Sequence, residues 1–111
     1  RAEARAAASR LEATRRALEE TAAADVARVR GTFAAWHALQ PAAESARQHL
    51  RRAQRAHELG ESSLAEWLLS MGSTAETLQA ERLGRLEAHE AIARLYIDGH
   101  ELWAVHAGDA P

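Results

Sequence analysis

The fold is decided by the stretch Arg55-Ala-His-Glu-Leu-Gly60-Glu-Ser-Ser63-Leu64-Ala-Glu66-Trp67-Leu68, the one short break between two long Ala- and Arg-rich segments. Gly60 can adopt the positive φ that ends a helix, and Ser62 or Ser63 can cap the next helix with a side-chain oxygen. Glu66 follows Ser63 by three residues, which is the spacing of a capping box. A helix that stops and restarts within about four residues usually turns back on itself. We therefore predict a helical hairpin with its turn at residues 60–63.

Composition favours an all-α chain and excludes several classes of function. The 111 residues allow one domain, and Ala, Leu, Arg and Glu are strong helix formers. The formal net charge of -2 gives no general attraction to nucleic acid. With no cysteine, disulfides and thiolate metal sites are excluded. No stretch reaches the roughly 20 apolar residues of a membrane span, so we expect no direct membrane insertion by this segment.

The first arm is predicted over about residues 2–59, and it carries one apolar stripe. Leu11, Leu18, Ala22, Val26, Val29, Phe33 and Trp36 recur at helical steps, followed by Ala43, Ala46, Leu50, Ala53 and His57. Pro41 lacks a backbone donor, and its ring clashes with the preceding turn. Because nothing else near residue 40 breaks structure, we expect a kink near Pro41 in a nearly continuous helix.

The second arm is predicted over about residues 63–107, and it carries two apolar stripes. One runs through Leu64, Leu68, Met71, Ala75, Leu78, Arg82, Arg85, His89, Ile92, Tyr96, Gly99 and Trp103, and the other through Leu69, Gly72, Leu83, Leu86, Ala93 and Ile97. Both follow the 3–4 alternation of a coiled coil. A lone antiparallel hairpin needs only one stripe, so we expect the second to meet a further helix. That helix belongs to a larger parent or to another copy, and we expect the isolated chain to form a dimer or a higher oligomer.

Residues 26–105 resemble the last periplasmic helical pair of the TolC-type outer-membrane efflux proteins. The resemblance is carried by Arg52-Ala-Gln-Arg-Ala-His57-Glu-Leu-Gly60-Glu-Ser-Ser63-Leu64-Ala-Glu66-Trp-Leu68-Leu69. In that family a helix is followed by Gly and a polar residue, a Ser or Thr, an apolar pair, an acidic residue and Leu-Leu. A heavy-metal efflux relative is one form that such a parent can take.

The resemblance implies a fold, a location and a set of partners. It implies that the chain is a hairpin fragment of a larger outer-membrane protein, on the periplasmic face of that membrane. Three copies of the parent would form an α-barrel, which meets a periplasmic adaptor protein and, through it, an inner-membrane pump. The adaptor-docking tip would comprise Gly60, Ser63, Leu64, Glu66, Trp67 and Leu68, with Glu66 also constricting the entrance. Leu69 stands where many members carry a second Asp, which favours docking over gating.

No motif of catalysis or cofactor binding is present in the sequence. There is no nucleophile elbow, no phosphate loop and no His-Glu-x-x-His, so we expect neither an enzyme nor a bound cofactor. Six histidines occur, at positions 37, 49, 57, 89, 100 and 106, but no two are three or four residues apart as helical metal ligands require. Two alternatives to the duct stay open: a stand-alone helical module that self-associates into a bundle, and a periplasmic metal-binding helical protein that uses these histidines.

Overall fold

Two long α-helices make up the chain in the computed structural model, which describes residues 1–108 except for the side chains of Leu102, Val105 and His106. Helix α1 spans Ala2–Glu58 and helix α2 spans Leu64–Gly108. The predicted all-α antiparallel hairpin is confirmed, and each predicted arm agrees with its helix to within one residue. Pro41 lies inside α1 without interrupting it. The ring removes the amide that would bond to the carbonyl of His37, four residues earlier.

Helix α1 ends in a Schellman motif at the predicted glycine. Gly60 has a φ of 75°, and within the described residues no residue other than glycine has a positive φ. Its amide donates to the carbonyl of His57 (3.0 Å), and the amide of Glu61 donates to the carbonyl of Ala56 (2.8 Å). These two bonds satisfy carbonyls that the end of a helix otherwise leaves without partners.

Helix α2 begins with the predicted capping box. The Ser63 hydroxyl accepts the amide of Glu66 (3.1 Å), and the Glu66 carboxylate accepts the amide of Ser63 (3.2 Å). Of the two serines that could cap, Ser63 does so. The Ser62 hydroxyl is buried without a hydrogen-bond partner. The turn is therefore fixed at both ends by its own backbone and side chains.

The buried and half-buried seam positions of α1 follow an unbroken alternation of four and three residues, as in a coiled coil. They are Leu18, Ala22, Asp25, Val29, Thr32, Trp36, Leu39, Ala43, Ala46, Leu50, Ala53 and His57. The stripe predicted for this arm is confirmed at most of its positions. The exceptions are Leu11 and Val26, which are exposed. Asp25 takes the seam position beside Val26.

The face of α2 that meets α1 is not the one that hydrophobicity predicts. Its buried and half-buried seam positions are Trp67, Ser70, Thr74, Thr77, Glu81, Gly84, Ala88, Ala91, Leu95 and Asp98. The first stripe predicted for α2 does not form the seam: Leu64, Leu68, Met71, Tyr96 and Trp103 are exposed. Leu78 and Ile92, which belong to the same stripe, are half-buried. Most seam residues of α2 are small or polar, and the bulky partners Trp36, Leu39 and Leu50 come from α1.

Contacts between the helices divide the chain into two compact units. One contains residues 1–31 and the chain from His89 onward; the other contains residues 32–88. The buried hydrophobic residues that the structure describes are three alanines, Ala43, Ala88 and Ala91. Since alanine buries little apolar area, each unit has a thin core.

Candidate functional site: the turn and the outer face of α2

The predicted tip residues divide into those that build the turn and those that it displays. Gly60, Ser63 and Glu66 form the two helix caps described above. Leu64 and Leu68 lie in the first two turns of α2 and are more than half exposed, at 59% and 55%. Trp67 is half-buried and points toward α1. The structure thus brings all six residues together at the turn, with the two leucines as its apolar surface.

A histidine that sequence reasoning did not assign to the tip completes the turn. The imidazole of His57 stacks on the indole of Trp67, with ring centroids 6.2 Å apart and planes 3° from parallel. Its Nδ1 lies 3.2 Å from the carbonyl oxygen of Ser62. Because a carbonyl oxygen only accepts, Nδ1 carries the proton in this contact. His57 is ten residues before Trp67 and occupies the last seam position of α1. Because the two residues lie at similar distances on either side of the turn, their spacing in the sequence could have indicated that they meet.

Glu66 has a structural role that limits its use as a gate. Its carboxylate is held by the amide of Ser63 and lies on an exposed side chain. A negative charge in the first turn of a helix also interacts favourably with the helix dipole. Removing the whole side chain would therefore alter the cap as well as the charge. Glutamine, which also serves in capping boxes, separates the two effects.

A second apolar surface lies on the side of α2 that faces away from α1 in the unit of residues 32–88. We define this outer face by Leu69, Gly72, Leu83 and Leu86, which sit at the two heptad positions opposite the seam. Leu69 is 74% exposed, Leu83 51% and Leu86 62%. Glu76 and Gln79 separate its two leucine patches. In the other unit Tyr96, Ile97 and Trp103 are also exposed. Exposed large apolar side chains therefore recur along α2 outside the seam, where an ordinary monomer carries mostly polar residues.

Two polar side chains in the seam of the second unit (residues 32–88) form hydrogen bonds across to the other helix. The indole Nε1 of Trp36 donates to the buried carboxylate of Glu81 (3.0 Å), and the hydroxyl of Thr74 donates to the carbonyl of Ala46 (3.4 Å). Glu81 and Arg85 are four residues apart on α2, a spacing that favours an intrahelical ion pair. Instead Glu81 turns inward, and Arg85 is exposed like Arg82. Satisfied polar groups of this kind fix which residues face each other across the seam.

The helices approach each other closely at Gly84. A Cβ added there would lie 2.9 Å from Cδ1 of Leu39 and 3.6 Å from Cα of Trp36. Such an approach is available only where one helix lacks a side chain. The small residues of the α2 seam therefore have a packing role, because they make room for Trp36 and Leu39.

A basic patch precedes the turn on α1. Arg51, Arg52, Gln54, Arg55 and Glu58 line a shallow groove along the helix surface. Arg51 is 3.6 Å from the carboxylate of Glu44, which also meets Arg47 at 3.7 Å. These pairs are exposed, so each contributes little to stability. The patch retains cationic side chains close to the turn, with Glu44 and Glu58 offsetting part of the charge.

The histidines are spread along both helices. His37, His49, His89 and His100 are exposed and His57 is half-buried, while the side chain of His106 lies outside the described set. Within the part of the chain that the structure describes, no three His, Asp or Glu side chains are grouped so that they could hold a metal ion. Neither described helix has a segment apolar enough to cross a membrane.

Comparison with family models, with curated proteins and with solved structures finds no match to this chain. The fold therefore rests on the sequence and the structure.

Proposed function

We propose that the chain is the periplasmic helical hairpin of a TolC-like outer-membrane efflux duct. In this proposal α1 and α2 belong to the channel wall, on the periplasmic face of the outer membrane. The turn docks a periplasmic adaptor protein, which connects the duct to an inner-membrane pump. Three copies of the parent assemble around the channel. The chain supplies the shape of the channel wall and of the docking turn, and the exported substrate is selected by other parts of the system.

This proposal is supported by the two separate roles of the tip residues, some of which fix the turn while others are exposed on it. The residues that resemble the family motif are those that fix the turn (Gly60, Ser63 and Glu66) and those that it displays (Leu64 and Leu68). A preorganised turn lowers the entropy cost of docking, because its backbone is already ordered. Exposed leucines beside a half-buried Trp67 form a small apolar surface of the type that interfaces bury at their centre.

The outer face of α2 gives independent support for a wall helix. A helix in a tubular wall has neighbours on two sides, so it needs a second apolar surface in addition to the hairpin seam. Leu69, Leu83 and Leu86 supply that surface, and their exposure is unexplained in a lone hairpin.

A stand-alone, self-associating helical module is the second candidate function, and the exposed leucines of the outer face favour it. Leu69, Leu83 and Leu86 are each more than half exposed, and exposed apolar patches mark surfaces at which proteins associate. In this alternative the same outer face pairs with another copy of the chain in a helical bundle.

Site-specific photocrosslinking in cells that produce the full parent protein distinguishes the two candidates. A photoreactive residue replaces Leu64 or Leu68 at the turn, and Leu83 or Leu86 on the outer face serves as the matched apolar control. The duct predicts that the turn positions crosslink to an adaptor protein identified by mass spectrometry, while the control positions crosslink to helices of the duct. Crosslinks only to other copies of the chain from all four positions would favour the self-associating module and contradict the duct.

The gating role proposed for Glu66 has its own test in the full parent. Glu66→Gln removes the charge and retains a capping-box residue, whereas Glu66→Ala removes both. A charge that constricts the entrance predicts altered conductance for both variants. If Glu66→Gln conducts and exports like the unmodified protein, Glu66 serves the turn alone.

A further inference from the structure

The outer face of α2 has apolar residues toward its two ends and polar residues at its centre. Its heptad positions, together with the two polar residues that separate its leucine patches, are Leu69, Gly72, Glu76, Gln79, Leu83 and Leu86, and all of them are exposed. Leu69 and Leu86 stand at equal distances from the midpoint between residues 77 and 78. Gly72 and Leu83 form the next such pair, and Glu76 and Gln79 form the innermost one. The face therefore has a centre of symmetry in size and polarity.

A twofold axis through that midpoint would bring the members of each pair together. When two identical helices are related by such an axis, residue i of one copy contacts residue j of the other, and residue j contacts residue i in return. Leu69 then meets Leu86 of the second copy, and Leu83 packs over Gly72. The amide of Gln79 donates to the carboxylate of Glu76. Each side chain of the face thus meets a side chain of matching size or polarity.

We propose that the outer face binds a second copy of this chain in antiparallel orientation, with the twofold axis between residues 77 and 78. The partner is identified by the chemistry of the face: leucine against leucine, a bulky side chain over a glycine, and a carboxylate against an amide. The inference rests on the self-associating candidate and adds its orientation and register. Copies arranged around a channel axis run in the same direction, so the dyad describes the chain outside a duct.

Other arrangements of two copies set unlike groups or like charges against each other. A parallel pair in register places Glu76 opposite Glu76 of the second copy, and two carboxylates at short range repel each other. A shift of the antiparallel register by one heptad in either direction places a leucine opposite Gln79. Such a register buries a polar group that has lost its partner, which costs free energy. Polar residues at core positions specify register in this way in coiled coils.

Nothing in the chain itself requires the glycine at position 72. A Cβ added to Gly72 meets nothing within 4 Å, and its φ is not in the left-handed region, since Gly60 is the glycine with a positive φ among the described residues. Glycine inside a helix is less stable than alanine. In the dyad, the space beside Gly72 receives Leu83 of the second copy, just as Gly84 makes room for Leu39 at the hairpin seam.

Disulfide exchange between two single-cysteine variants tests the orientation, and the unmodified chain has no cysteine that would interfere. Leu69→Cys and Leu86→Cys, one of them carrying a heavy-isotope label, are mixed in equal amounts in a glutathione redox buffer. The disulfide-linked dimers are then weighed by mass spectrometry. The antiparallel dyad predicts the mixed disulfide as the main product, because a disulfide forms only between positions that meet.

A mixture of Gln40→Cys and Gln48→Cys, at exposed positions of α1, is the matched control and should give its products in statistical ratio. Disulfides mainly between identical variants of the outer face would show parallel pairing and overturn the proposal, and so would the statistical ratio of the control. Either result leaves self-association intact, whereas a monomeric unmodified chain would remove the self-associating candidate as well. The duct is unaffected by all three results, since its test is crosslinking in the full parent.

A charge change at the centre of the face gives a second test, in which the two orientations predict opposite signs. Gln79→Lys sets an ammonium group against Glu76 of the second copy in the dyad, but against another ammonium group in a parallel pair. The dyad predicts a Kd of self-association that is lower by about threefold or more at low salt and rises with added salt. Gln48→Lys adds the same charge on α1 and is the control. A Kd for Gln79→Lys equal to or above that of the control, measured by sedimentation equilibrium, would overturn the proposal.

Discussion

The imidazole of His57 lies parallel to the indole of Trp67, with 6.2 Å between the ring centroids. One ring comes from the last turn of α1 and the other from the first turn of α2, so the stack joins the two helices directly beside Gly60. The same imidazole donates to the carbonyl of Ser62. The turn is therefore held by side-chain contacts across it in addition to its two caps.

A double-mutant cycle measures the coupling of this stack. His57→Ala and Trp67→Ala should each destabilise the chain, and the coupling energy between them should be about 1 kcal/mol, the range of aromatic pairs. His57→Phe keeps a stacking ring and loses the bond to Ser62, so it should retain most of the coupling. Urea unfolding of the four proteins gives the value, and additive single effects would show that the rings do not interact.

The two serines of the turn should respond differently to alanine. Ser63→Ala removes the N-cap and should cost about 0.5–2 kcal/mol. Ser62→Ala removes a buried hydroxyl that has no partner, so it should be neutral or slightly stabilising. Thermal unfolding by circular dichroism compares them, and an equal loss from both would place the cap elsewhere.

The close approach at Gly84 makes a third prediction. Gly84→Leu should destabilise the hairpin by about 1–3 kcal/mol through overpacking. Gly84→Ala should be near neutral, because a gain in helix propensity of about 1 kcal/mol offsets the displacement of the Leu39 side chain. Gly31→Ala is the matched control, since a Cβ there meets nothing within 4 Å, and it should stabilise. Equal behaviour of the Gly31 and Gly84 alanine variants would contradict the close approach.

The turn and the helix boundaries could be predicted from the sequence because their causes are local. Gly60 has the positive φ that its position requires, and Ser63 and Glu66 meet within one helical turn. Such contacts join residues that are a few positions apart, so the spacing of the residues in the sequence is enough to predict them.

The buried face of α2 could not be predicted, because it depends on the sizes of the side chains that α1 places opposite it. Trp36 and Leu39 fill the seam from α1, so α2 meets them with Gly84 and other small residues. Hydrophobicity along α2 alone favours the leucines, which the structure places outside. Glu81 was likewise unexpected at the seam, since its partner Trp36 lies 45 residues away.

The central claim is that another helix covers the outer face of α2, and the solution mass of the chain tests it most directly. The measurement is size-exclusion chromatography with light scattering at micromolar concentrations, on the unmodified chain and on the double variant Leu83→Glu/Leu86→Glu. Gln40→Glu/Gln48→Glu adds the same two charges at exposed positions of α1 and is the control. The account predicts a mass above the 12.1 kDa monomer for the unmodified chain and the control, and a monomer for the outer-face variant. A monomer for the unmodified chain, or an unchanged oligomer in the outer-face variant, would contradict it.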